Sequence, residues 1–157
     1  MSDHTRLAQL EEEHTELVLR RFDRGDAWEL GRSLAERALA AQHPVAIDVR
    51  TAGGVLFHAS LPGATSDNDV WAAKKAATAL RFEASTALLE LRIELGGRDM
   101  YEPGWLDPVV YAVAGGSVPI RVDGVGVVAV ATMSGLASAD DHDAVADGIR
   151  VLQRRAG

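Results

Sequence analysis

Two histidines are the side chains in this sequence best suited to hold a metal ion, because a neutral imidazole nitrogen is a common metal ligand. His58 lies in a run of apolar and β-branched residues that predicts a strand, and His142 lies at the start of a helical pattern. The competing interpretation is a histidine tied by an ordinary hydrogen bond. That interpretation is favoured for His58, since no second ligand is visible beside it in the sequence.

Acidic residues surround His142 in the stretch Asp140-Asp141-His142-Asp143. Successive residues of a helix point about 100° apart, so these four side chains cannot all face one ion. Carboxylates in a first helical turn are favoured by capping and by the helix dipole. The stretch therefore predicts a helix start, with His142 alone retained as a candidate ligand.

Backbone amides and one lysine form a second candidate site, for a carboxylate or phosphate. Gly115-Gly116 and Ser134-Gly135 flank a predicted hairpin, and a helix begins shortly after Ser134. Glycine pairs also serve ordinary turns. Lys75 is the candidate cationic partner on a predicted helix, and the alternative for it is a salt bridge to the acidic surface.

Several function classes find no support in the residues. No serine or threonine has a visible base and orienting group, cysteine is absent, and no phosphate-binding or dinucleotide fingerprint occurs. The net charge of −7 and the lack of a basic cluster make nucleic acid and anionic membranes poor partners. No catalytic constellation can be recognised.

The 157 residues are most simply one domain, 1–157, with an ordinary hydrophobic fraction of 47%. No apolar run is long enough to span a bilayer, and the polar N-terminus lacks the apolar segment of a secretory signal. We therefore expect a cytoplasmic protein.

Hydrophobic periodicity predicts the elements that position these residues. The longest is a helix over 68–95, ended by Gly96-Gly97, and residues 98–114 form a structured connection. Asp123-Gly124 predicts a two-residue hairpin turn before an apolar strand, 125–133. The other expected elements are helices over 3–15, 27–41 (capped by Asp26) and 141–153, and strands over 17–22, 45–50 and 55–59. Hairpins interleaved with helices indicate an α+β fold with a mainly antiparallel sheet.

Several ordered motifs resemble the UPF0303 family, within the haem-degrading or haem-binding HbpS/GlcG-like (DUF336) group. They are Leu56 to Gly63, Asp67-Asn68-Asp69 with Trp71, Lys75, Arg81-Phe82, Gly115 to Ile120, Ser134-Gly135-Leu136, Asp141-His142, and Asp26-Ala27 with Leu30-Gly31. The resemblance implies a profilin-like α/β sandwich: a five-stranded antiparallel sheet flanked by helices, including one long central helix. It also implies haem as a cofactor and homo-oligomers built from dimers.

The sequence departs from that family at one position. UPF0303 relatives usually carry His-Gly-Gly before the Pro-Ile strand, whereas Ala114 stands here before Gly115-Gly116. A ligand role at that position therefore does not carry over.

Three functions remain open at the level of sequence. The first is an oligomeric protein that binds haem or a small ligand, through some of His58, Lys75, Gly115, Gly116, Ser134, Gly135 and His142. The second is a non-enzymatic oligomeric scaffold for a protein partner. The third is a metal-assisted enzyme acting on a small organic acid. For self-association, the aromatic residues of 98–114 and part of the 68–95 helix are the expected interface.

Overall fold

A computed structural model describes residues 1–155 of the chain. These residues form five helices and five strands: α1 (Asp3–Glu16), β1 (Val18–Leu19), α2 (Arg24–Ala40), β2 (Ala46–Thr51), β3 (Gly54–Ser60), α3 (Ser66–Phe82), α4 (Thr86–Leu95), β4 (Ser117–Val122), β5 (Gly126–Ser134) and α5 (Ser138–Arg155). The predicted α+β class is confirmed.

The five strands form one sheet in the order β1-β4-β5-β2-β3. All neighbouring pairs are antiparallel except β1 with β4, which run parallel, so the sheet is mixed. The predicted strand over 17–22 is reduced to Val18–Leu19, because α2 begins soon afterwards from its cap, Asp23. That cap lies three residues before the predicted one, and Asp26 instead completes a capping box with Asp23.

The two faces of the sheet are covered differently. Helices α2 and α5 bury one face in the main core, around Leu34, Ile47 and Ile149. Helix α3 covers the other face with small residues, of which Ala76 and Ala79 pack against Val130. Within residues 1–155, no helix combines the length and the apolar character that crossing a bilayer requires.

The sheet face beneath α3 is polar although it is buried. Asp48, Ser117 and Thr132 are fully buried there, and Ser117 and Thr132 share a 2.8 Å hydrogen bond between their hydroxyl groups. Alanines on α3 let the helix approach closely, so these polar groups are shielded from water. Because buried polar groups need partners, this face specifies local geometry more strictly than an apolar face would.

The expected single helix over 68–95 is wrong, because the chain turns between α3 and α4. Glu83 adopts a left-handed conformation (φ 53°), and the Ser85 hydroxyl accepts a 3.2 Å hydrogen bond from the Leu88 N–H as the cap of a new helix. The turn directs α4 away from the sheet. Leu88 and Leu91 of α4 instead pack with Leu10 of α1 in a second core cluster.

The central hairpin has a longer loop than its sequence predicts. Val122 pairs with Gly126, so residues 123–125 form a three-residue loop with Gly124 at φ 73°. Val125 is therefore exposed in the turn rather than part of the strand. From Ala129 to Ser134, β5 is buried on both faces, as its apolar sequence predicts.

Candidate functional site

His58 lies on β3 directly opposite Asp48 of β2. Its Nδ1 is 3.0 Å from Oδ2 of Asp48, and its Nε2 is 2.9 Å from Oδ1 of Asp69 on α3. Carboxylates only accept hydrogen bonds, so the ring makes both contacts at once only when it carries both protons. A neutral ring would keep one of the two.

Asp48 is the anchor of this group. It is fully buried, and Arg50 donates two hydrogen bonds to it, from Nε at 2.5 Å and from a terminal nitrogen at 2.6 Å. The hydrogen bonds that Arg50 donates to Asp48 outweigh the opposing effect of burial and raise the pKa of Arg50. Because Arg50 and His58 occupy both carboxylate oxygens, Asp48 holds the imidazole in one orientation.

Asp69 is held more loosely than Asp48. Its side chain is 36% exposed, in the first turns of α3. The Ser60 hydroxyl donates to its two oxygens at 3.2 and 3.3 Å, which are long contacts for hydroxyl donors. Nε2 of His58 therefore faces a loosely held and partly exposed carboxylate, whereas Nδ1 faces a fixed and buried one.

An open groove of about 340 Å³ lies between α3 and the β2–β3 turn; Arg50, the partner of Asp48, lines it, whereas His58 does not. Ala73, Ala77 and Leu80 line its helical side, and Arg50 adds a positive charge. Ala73 follows Asp69 by one helical turn, and Arg50 shares Asp48 with His58. The groove and the imidazole thus belong to one region of the surface.

Lys75 lies in a second and separate network. Its Nζ, almost fully buried, donates to Asp141 Oδ2 at 3.2 Å and to the Met133 carbonyl at 3.3 Å. Burial raises the pKa of Asp141, although Lys75 and the amides of Gly135 and Leu136 oppose the shift. The predicted salt bridge of Lys75 to the acidic surface is therefore wrong, since its partner is internal.

The glycines around that ion pair have a packing role. At Gly116 (φ 138°) a Cβ would lie 2.4 Å from the Met133 carbonyl oxygen and 2.8 Å from Lys75 Nζ. At Gly135 (φ 144°) a Cβ would lie 2.5 Å from the Pro44 carbonyl oxygen. Ser134, which precedes Gly135 in the chain, is buried as well. The structure thus brings four candidates, Lys75, Gly116, Ser134 and Gly135, together around Asp141.

Gly115 faces another groove, of about 210 Å³, between α1, α4 and the start of α5. Glu90 lines this groove. Burial, and to a smaller extent the charge of Glu94, raises the pKa of Glu90. The hydrogen bond from the Gly115 N–H and the charge of Lys75 oppose this shift. Ala114, half-buried, precedes Gly115 and offers no ligand atom. A Cβ on Gly115 would lie 2.7 Å from the Ser138 carbonyl oxygen, which accounts for glycine here.

His142 is enclosed. It is fully buried on α5, its Nε2 is 2.6 Å from Oε1 of Glu13, and Arg150 donates to the other Glu13 oxygen at 2.6 Å. Its Nδ1 has no hydrogen-bond partner within residues 1–155. The networks of His58 and His142 share no residue, so these two histidines do not form one site.

Sequence reasoning missed the acidic partners that define these networks. Asp48, Asp69, Glu13 and Glu90 were not among the predicted site residues, and Asp141 was interpreted only as a capping residue. Within residues 1–155, no group of three or more histidine, aspartate or glutamate side chains has the arrangement of a metal centre. Of the candidates, only His58 combines partial exposure with a ring that a buried carboxylate holds in place.

Comparisons with known proteins agree with this fold. Residues 22–150 match the family model described as "Haem degrading protein HbpS-like". A UPF0303 protein of Streptomyces coelicolor is 45% identical over 143 residues, which cover 91% of this chain and 90% of that protein. A UPF0303 protein of Burkholderia pseudomallei is 42% identical, with 85% and 81% of the two chains covered.

Solved structures show the same architecture. The crystal structure of the Ybr137w protein superposes with a TM-score of 0.84 at 30% identity, covering 94% of this chain and 87% of that one. A complex of PduOC with haem gives 0.69 at 25% identity, covering 86% and 95%. HbpS itself gives 0.66 at 25% identity, covering 84% and 90%.

Proposed function

The chain belongs to the HbpS-like family, among its UPF0303 members, and on that premise we propose that it binds haem with His58 as the iron ligand. One observation carries the assignment: the buried Asp48 fixes Nδ1 of His58, while Nε2 meets Asp69, a partly exposed carboxylate that can exchange its contact for water. Metal-binding histidines commonly have their second nitrogen held by a carboxylate in this way.

One side of the groove that Arg50 lines fits the apolar face of a flat cofactor. Ala73, Ala77 and Leu80 present small apolar surfaces along one side of the groove, and Arg50 is a cation suited to a carboxylate at its end. Bound haem would supply a redox-active iron centre. The contribution of this chain is to orient the imidazole and to cover one part of the cofactor.

His142 does not fit the same role. It is fully buried, and Glu13, which meets its Nε2 at 2.6 Å, is only 12% exposed, whereas the Asp69 that meets Nε2 of His58 is 36% exposed. An iron ligand must reach the metal without disrupting the core, so we assign His142 to holding α1 in place. The other candidate residues support the packing of the core rather than a ligand. Lys75 forms the internal pair with Asp141, and this pair is surrounded by Gly116, Ser134 and Gly135.

Titration of untagged protein with haemin tests the proposal. We expect a saturable shift of the Soret band that His58→Ala abolishes and that His4→Ala, a change at an exposed residue of α1, leaves intact. A saturable shift retained in His58→Ala would refute the assignment of His58. No saturable shift in the unmodified protein would refute haem binding itself.

A different surface supports self-association. Val70 and Trp71 on α3 are exposed, as are Val109 and Val110 in the connection between α4 and β4. The two segments touch, because the Ala112 N–H donates to the Lys74 carbonyl at 3.3 Å and to Thr78 Oγ1 at 3.2 Å. We call Val70, Trp71, Val109 and Val110 the connector patch.

We propose that the connector patch is the contact between two copies of the chain. Large exposed apolar side chains on two segments that are joined by hydrogen bonds mark an interaction surface. The patch combines the two segments expected from the sequence to form the interface. Trp105, by contrast, packs inward against Phe82 and beneath Arg98, so it stabilises the connection from within.

A further inference from the structure

We infer that Asp69 controls access to His58, so that a metal-centred ligand binds only after this carboxylate has left Nε2. This control concerns the site proposed above for haem and rests on that proposal for its ligand. Asp69 is thus a positioning residue: it acts on binding through His58 rather than by touching the cofactor.

The first step is that the two contacts are mutually exclusive. Nε2 of His58 lies 2.9 Å from Oδ1 of Asp69, within hydrogen-bond distance. A ring nitrogen that donates a proton has no lone pair to give to a metal. Ligation therefore removes the proton from Nε2 and ends the hydrogen bond to Asp69.

The second step is that the ring stays while Asp69 moves. Three charged groups surround the imidazole: Asp48 and Arg50 from β2, and Asp69 from α3. Asp48 is fully buried and bound by two partners, so moving it would leave a buried charge unpaired. Asp69 is 36% exposed and can exchange its contacts for water.

The third step concerns Ser60, which holds Asp69 in the blocking position. Its hydroxyl reaches both Asp69 oxygens, at 3.2 and 3.3 Å. Ser60 and His58 both lie on the side of β3 that faces α3, two residues apart, so one strand supplies both contacts to the carboxylate. Removing the hydroxyl should loosen Asp69 without changing any charge.

The test compares Asp69→Ala with Asp67→Ala, which removes an exposed carboxylate from the same turn of α3. The first readout needs no haem: the rate at which diethyl pyrocarbonate modifies His58, followed by peptide mass spectrometry. Because Asp69→Ala removes the hydrogen bond from Nε2 to a charged group, we expect modification to be about tenfold faster in this variant, a change equivalent to about 1.4 kcal/mol. Asp67→Ala should match the unmodified protein, and Ser60→Ala should lie between them.

The second readout is the dissociation constant for haemin, which should fall about tenfold in Asp69→Ala and not in Asp67→Ala. A rate of His58 modification in Asp69→Ala equal to that of the unmodified protein, with an unchanged melting temperature, would overturn the control by Asp69. Weaker haemin binding in Asp69→Ala would overturn it as well. Faster modification without haemin binding would uphold the control and refute only the proposed cofactor.

Discussion

The carboxylate of Glu13 on α1 accepts a 2.6 Å hydrogen bond from Nε2 of His142 on α5, although the two residues are 129 positions apart. Arg150 occupies the other oxygen of Glu13 at 2.6 Å, and His142 is fully buried. Other polar contacts support the attachment of α1, including Glu11 with Arg92 and the Glu16 carbonyl with Gln153. Helix α1 is thus fixed mainly by ion pairs around one buried leucine, Leu10.

Glu13→Ala should lower the free energy of unfolding by about 3 kcal/mol, because it leaves the buried His142 without its acceptor. Glu12→Ala is the matched control, since Glu12 is the exposed neighbour on the same helix. It should change stability by less than about 0.5 kcal/mol. Urea denaturation followed by circular dichroism measures both. Equal effects of the two changes would show that the contact with His142 contributes nothing.

The contribution of Glu13 should depend on pH. Burial tends to raise the pKa of Glu13, but hydrogen bonds and charge from His142 and Arg150 outweigh it, so the pKa lies below the usual 4.5. A carboxyl with a lowered pKa in the folded state stabilises fully above its unfolded pKa and loses that effect as pH falls through the folded one. The stability gap between the unmodified protein and Glu13→Gln should therefore be constant near pH 7 and shrink below about pH 4.5. A gap that widens on acidification would contradict this sign.

Lys75→Met should destabilise the fold by about 3 kcal/mol, because Asp141 would remain buried without its cation. Lys74→Met is the control: Lys74 is the adjacent residue, and its ammonium lies over the Trp71 ring at 5.7 Å. Its loss should cost less than about 1 kcal/mol. The melting temperatures of both variants test this prediction. If Lys75→Met is as stable as Lys74→Met, the internal Lys75–Asp141 pair does not contribute to the stability of the fold.

Val109→Asp should disrupt self-association, because it places a charge at the most exposed residue of the connector patch, which is 77% exposed. Val125→Asp makes the same change at the equally exposed tip of the β4–β5 hairpin and should not affect assembly. Light scattering of the three proteins gives their masses. A mass of 16.7 kDa for the unmodified chain would refute self-association, and an oligomer that survives Val109→Asp would place the contact elsewhere.

The sequence indicates the local elements and the class of fold, but its patterns do not contain the long-range pairs. The alternation of β2 and β3 predicts a hairpin, yet it cannot place Asp48 opposite His58, since the register shifts between Val49 and Arg50. The break at Glu83 was missed because alanine and leucine continue at helical spacing on both sides, although Ser85 was a visible cap signal.

The candidate site was only partly predictable for the same reason. His58 could be singled out by its residue type, whereas Asp69 gains its role from the position of α3 over the polar sheet face. No local sequence pattern predicts the pairing of Glu13 with His142, because the two residues lie far apart in the chain and share no motif. Residue type made both His58 and His142 candidate ligands, and it is the difference in their burial that separates them.

The placement of α1 and β1 has a consequence for the order in which the chain assembles. Residues 3–19 emerge from the ribosome before any of their partners: β4 pairs with β1, α4 packs on Leu10, and α5 supplies His142, Arg150 and Gln153. A 14-residue helix is marginal in water on its own, so α1 gains little from forming early. Its docking is complete only when α5 has been synthesised, which makes closure of the contact between α1 and α5 a late and high-contact-order event in folding.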